Sequence, residues 1–106
     1  MAELRVCSVN NVPVNSARRF DIGNLRLAVV HIGEDWYGIG DECSHANYSL
    51  SEGDVWPVEC EIECPNHGSM FSLKTGEPTS LPATRPVPTY TVRVDGDDVF
   101  IEVPDA

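Results

Sequence analysis

The sequence is short of basic residues, short of cysteine, and without a long apolar run or a helical stripe. Seven Lys and Arg stand against seventeen Asp and Glu, giving a net charge of −10 over 106 residues. That balance makes nucleic acid and anionic membrane poor partners. No window approaches the 18 or more apolar residues of a membrane span. The opening MAELRVCSVNNVPV has neither a basic n-region nor an apolar h-region, so a soluble cytoplasmic protein is expected. Four cysteines, Cys7, Cys43, Cys60 and Cys64, are sparse for a disulfide scaffold, and reduced thiols are the expectation. A chain of this length suits one compact domain, taken as residues 1–106, with no room for a separate catalytic domain. The acidic residues fall in short clusters such as ECEIEC. They serve solubility, or they steer the protein toward a basic docking surface, an attraction that added salt would weaken.

What is present is mostly the period of strands. LRVCSV alternates with Leu4, Val6 and Ser8 on one side, RRFDI places Phe20 and Ile22 together, and NLRLAVVHI is a longer β-branched run. DWYGIG continues the pattern, and Asn10-Asn11, Gly23-Asn24 and Gly33-Glu34-Asp35 supply turns between the runs. YTVRV and VFIEV around DGDD form a hairpin, because Asp95-Gly96 can take the positive dihedrals of a tight turn. Eight prolines and eight glycines oppose long helices. The fold class is therefore all-β: a sandwich-like base of antiparallel strands with a smaller subdomain at about residues 40–83.

That middle segment is dense in turn residues and holds two Cys/His pairs. Within it VECEIEC reads as a strand with Val58, Cys60 and Ile62 on one face and Glu59, Glu61 and Glu63 on the other, so the Cys60 thiol is expected to be buried. Trp36, Tyr37, Trp56, Met70 and Phe71 read as core and shielding. The two pairs are Cys43-x-His45 and, after 18 residues, Cys64-x-x-His67. Two thiolates and two imidazoles suit tetrahedral zinc, yet a zinc finger groups its cysteines first and presents its histidines on a helix. A binuclear iron centre, with each loop giving its cysteine to one iron and its histidine to the other, is the competing reading.

On these motifs, with SLSEG after the first loop, HGSMFSLKTGEP after the second and LPATRPVPTYTVRV beyond, the sequence resembles a Rieske-type ferredoxin. It is similar to the soluble ferredoxins that serve bacterial ring-hydroxylating dioxygenases, and to ferredoxins found beside iron-sulphur assembly genes in actinobacteria. The resemblance implies the Rieske iron-sulphur fold and one 2Fe-2S cluster, with Cys43 and Cys64 on one iron and His45 and His67 on the other. It implies a one-electron carrier rather than an enzyme. Its partners would be a flavin-dependent ferredoxin reductase and a terminal oxygenase or other acceptor, with a monomer expected. Cluster assembly and a structural zinc domain are the alternative functions.

The resemblance also implies neighbours for the cluster. Gly68 would allow close backbone approach. Pro82, with Pro86 and Pro88, would stiffen a third loop covering the cluster. High-potential relatives join their loops by a disulfide at positions that here are Tyr48 and Asn66. They also donate hydroxyls to the cluster from a serine, here Ser69, and a tyrosine, here Phe71. A low potential, on the order of −150 to 0 mV, is the expectation.

Overall fold

The β-branched run NLRLAVVHI becomes the strand around which the molecule is built. The computed structural model describes residues 2–44, 48–66, 68–81 and 83–104. Its strands are β1 (Ala2–Ser8), β2 (Ser16–Ile22), β3 (Leu25–Ile32), β4 (Asp35–Gly40), β5 (Val55–Trp56), β6 (Glu61–Glu63), β7 (Met70–Ser72), β8 (Thr89–Tyr90), β9 (Val92–Asp95) and β10 (Asp98–Val103). Helix is confined, among the described residues, to two three-residue 3-10 turns, Val9–Asn11 and Leu50–Glu52. None is long and apolar enough to cross a membrane.

Three antiparallel sheets result, with strand orders β1-β10-β9, β2-β3-β4-β8 and β5-β6-β7. The four N-terminal runs joined by turns suggest one antiparallel meander, but only the last three form it, as β2-β3-β4. The first run, β1, pairs with β10 instead, and the expected hairpin is β9-β10, turned at Gly96 with φ +61°. Side chains alternate across β3. Leu27 and Val29 pack with Cys7, Val12, Val99 and Ile101 between the first two sheets. Ala28 and Val30 pack with Ile39, Ile62, Phe71 and Leu73 toward the third. The middle sheet is thus covered on both faces, which is why Leu27, Ala28, Val29 and Val30 follow one another without a polar residue.

Ion pairs fasten the surface of the base: Arg5 to Asp98 at 2.8 Å, Arg93 to Glu3 at 2.8 Å, Arg19 to Asp21 at 2.9 Å and Arg26 to Glu42 at 3.1 Å. Exposed pairs of this kind contribute about 0–1 kcal/mol each.

Two local expectations are corrected. A bulge between Arg5 and Cys7 shifts the register of β1, so Cys7 pairs with Val99 and is buried, while Leu4 pairs with Ile101 and stays partly exposed. In VECEIEC the strand begins only at Glu61. The register Val55↔Ile62 and Trp56↔Glu61 turns residues 57–60 into the hairpin loop. Val58 is 93% exposed, and Cys60, at φ +58°, makes the turn rather than joining a strand face. The Cys60 thiol is half-buried against Tyr37, whose hydroxyl is pushed up to about 12, mainly by its hydrogen bond with that thiol and then by burial.

Leu27→Ala should lower stability by about 2–5 kcal/mol through the cavity it opens between sheets. Val58→Ala should change it by less than about 0.5 kcal/mol. Chemical denaturation followed by circular dichroism measures both, and equal losses would contradict the register of β5 with β6.

Candidate metal centre

Two loops of matching construction lie over the sheet β5-β6-β7. The first leaves β4 through Asp41 and is closed by the Cys43 N–H donating to the Tyr48 carbonyl at 3.0 Å. The second leaves β6 after Glu63 and is closed by the Cys64 N–H donating to the Ser69 carbonyl at 2.7 Å. In each case the cysteine amide bonds the carbonyl five residues on, and this fixes the cysteine at the loop's root. Both thiols are buried beside Phe71, Leu50 and Ile62. His45 and His67 lie outside the described residues, as does Pro82.

A third segment ties the loops together. The Ala83 N–H donates to the Ser69 hydroxyl oxygen at 3.1 Å, and the Ser44 hydroxyl donates to the Arg85 carbonyl. One backbone group of the proline-rich segment is thereby spent on each loop. Ser69 is fully buried, and because its oxygen accepts from Ala83 its own proton is left for a further acceptor. Gly68 sits at φ +72°, a conformation that glycine takes without a Cβ penalty. Phe71 is fully buried, Tyr48 is exposed and all four cysteines are free thiols.

The chemistry of the pair follows from its burial. Burial pushes the Cys64 thiol up to about 11, and the facing Cys43 thiol and the Glu63 carboxylate act in the same direction. The Asn66 backbone N–H, bonded to the Cys64 sulfur, opposes them in part. Two thiolates facing each other in an apolar shell need a cation between them, so the donor pair fits a thiolate-bound metal. No group of three or more potential ligands occurs among the described residues, so the pair is not completed by a nearby described carboxylate.

One residue absent from the sequence reading supports the first loop. Asp41 is fully buried: its N–H donates to the Arg26 carbonyl at 2.9 Å, its carbonyl accepts from the Leu50 N–H at 2.7 Å, and its Oδ1 accepts from the Ser51 N–H at 2.8 Å. Its other oxygen lies 3.9 Å from Arg19 Nε. The only signal in the sequence was a carboxylate ending the apolar run DWYGIG; its target, ten residues on, carries no mark.

A β base carrying two loops that bury facing thiols defines a small metal-binding β protein. The chain belongs to the Rieske [2Fe-2S] domain family, whose model matches residues 2–91, and a Rieske domain carries one 2Fe-2S cluster. The 3-phenylpropionate/cinnamic acid dioxygenase ferredoxin subunit of Escherichia coli (strain K12) is 42% identical over 106 residues, covering 100% of this chain and 98% of that one. The ferredoxin of carbazole 1,9a-dioxygenase from Nocardioides aromaticivorans IC177 superposes with a TM-score of 0.90 at 35% identity, covering 95% of this chain and 97% of that one. A complex of reduced oxygenase and oxidized ferredoxin in carbazole 1,9a-dioxygenase contains a chain matching with a TM-score of 0.84 at 36% identity, covering 93% of this chain and 91% of that one.

Asp41→Ala should cost about 1–3 kcal/mol by leaving the Ser51 N–H without its acceptor. Asp41→Asn, which keeps an acceptor oxygen, should cost less. Thermal unfolding of the two variants measures the difference, and equal losses would assign the effect to the charge instead.

Proposed function

We propose that the protein is the one-electron carrier of a ring-hydroxylating dioxygenase system. It takes electrons from a flavin-dependent ferredoxin reductase and passes them to a terminal oxygenase, and it is a transfer component rather than the catalyst. The observation that carries this reading is the pair of matched loops burying facing thiols, in a chain 42% identical from end to end to a dioxygenase ferredoxin subunit. The ferredoxin caught with its oxygenase in the carbazole system supports the acceptor. In this reading residues 1–106 form a single cytoplasmic, monomeric domain, with the cluster-binding subdomain at about 40–83.

We assign Cys43 and Cys64 to one iron and His45 and His67 to the other, with Ser69, Gly68, Phe71 and Pro82 around them. A bound 2Fe-2S cluster takes up and releases one electron, and neutral imidazoles in place of two thiolates make that uptake easier. The chain's own part is to hold two thiolates in an apolar shell, to exclude water with Phe71, Leu50 and Ile62, and to fix the loops through Ser44 and Ser69. The Ser69 proton, not needed by Ala83, is available to donate toward a cluster sulfur, which would favour the more negative reduced form.

Anaerobically prepared protein should contain iron and acid-labile sulfide and give the reduced-state electron paramagnetic resonance signal of a Rieske cluster. Zinc without sulfide would refute the proposal. His45→Ala and His67→Ala should abolish that signal, whereas Cys60→Ser should leave it intact; its loss in Cys60→Ser would overturn the ligand set. Ser69→Ala should lower the reduction potential, and an unchanged potential would remove the hydroxyl from the cluster's surroundings.

A further inference from the structure

Glu63 directly precedes Cys64, and its side chain is held at one carboxylate oxygen while the other faces the second loop. The Trp56 indole Nε1–H donates to Oε1 at 3.0 Å. Oε2 lies against the second loop, 3.3 Å from where a Cβ on Gly68 would stand. The backbone is fixed as well. The Glu63 N–H donates to the Asp54 carbonyl at 2.8 Å, and the Glu63 carbonyl packs so closely on Gly53 that a Cβ there would fall 1.6 Å from it. This follows from strand register: Trp56 pairs with Glu61, so Glu63 is its diagonal neighbour on the same face, within reach of a long side chain. Trp56 is 43% exposed and so does little as core; its indole instead pins a carboxylate.

Among the described residues no Lys or Arg pairs with Glu63; the ion pairs engage Arg5, Arg19, Arg26 and Arg93 with other acids. We infer that Trp56 and Glu63 form a potential-setting pair, in which the indole holds an unneutralised carboxylate against the second loop so that its charge opposes arrival of the electron. The inference rests on the assignment of Cys64 and His67 to the cluster. A fixed negative charge disfavours adding another, and the effect falls with distance and with the solvent between the charges. Glu61 supplies the internal comparison. It lies two residues farther from Cys64 on the same face and binds Thr79 at 3.0 Å instead. Trp56 acts only as a positioning residue.

Potentiometric titration of the holoprotein, followed by the reduced-state electron paramagnetic resonance signal, tests the pair. Glu63→Gln should favour the reduced form about tenfold, an upward shift of about 59 mV for one electron. Glu61→Gln, removing the same formal charge, should shift it by less than half as much. Trp56→Phe keeps the charge but releases it to solvent, and should give a smaller shift in the same direction. A Glu63→Gln shift no larger than that of Glu61→Gln, or a Trp56→Phe potential equal to wild type, overturns the inference. Should Glu63→Gln assemble no cluster, Glu63→Asp and Trp56→Phe decide: both retain the charge, and both must rise above wild type. A wild-type protein that binds no cluster would instead refute the proposed function, whereas an intact cluster with unmoved potentials refutes this inference alone.

Discussion

The two-sided burial of β3 is the constraint on which the rest of the structure depends. Leu27, Ala28, Val29 and Val30 are each fully buried, with alternate residues facing opposite cores. Fully burying an aliphatic side chain contributes roughly 1.5–3 kcal/mol. A slip of one residue would exchange the two faces, putting the small Ala28 where Leu27 or Val29 now fills the base. One strand therefore fixes the spacing between the sandwich base and the layer that carries the loops, and strands at the periphery are free to be as short as two residues.

On that platform a single backbone device is used twice. Each cysteine amide closes its loop on the carbonyl five residues on, and each loop is then tied by one serine to the segment 83–88. The histidine falls two residues after the first cysteine and three after the second, yet the closure is the same. What the two loops share is the position of the sulfur, and the facing thiols follow from it. Burial, the neighbouring thiol and Glu63 all resist ionisation there, so a bound metal and the buried pair stabilise each other.

Much of this was legible in the sequence, for identifiable reasons. The meander and the β9-β10 hairpin follow from period-two alternation and from a glycine able to turn with positive φ. The loops follow from chemistry-bearing residues at short spacing. The misreadings share a cause: pairing register is set by a partner strand and is not written locally. The bulge at β1 placed Cys7 on the core face, and the pairing of Val55 with Ile62 turned Cys60 out of its strand. Asp41 and the Trp56–Glu63 bond were invisible for the same reason, since each joins residues seven or ten apart whose meeting depends on how the chain folds back.

The ion pairs of the base have a consequence at long range. Residues 40–83 carry eight of the seventeen acidic residues and one of the seven basic ones, while Arg5, Arg18, Arg19, Arg26 and Arg93 sit on strands of the base. Charge is thereby separated along the molecule, giving it an electric dipole with its negative end at the thiol loops. In the field of a positively charged surface such a body experiences a torque as well as an attraction, so it turns that end forward before contact rather than by trial collisions.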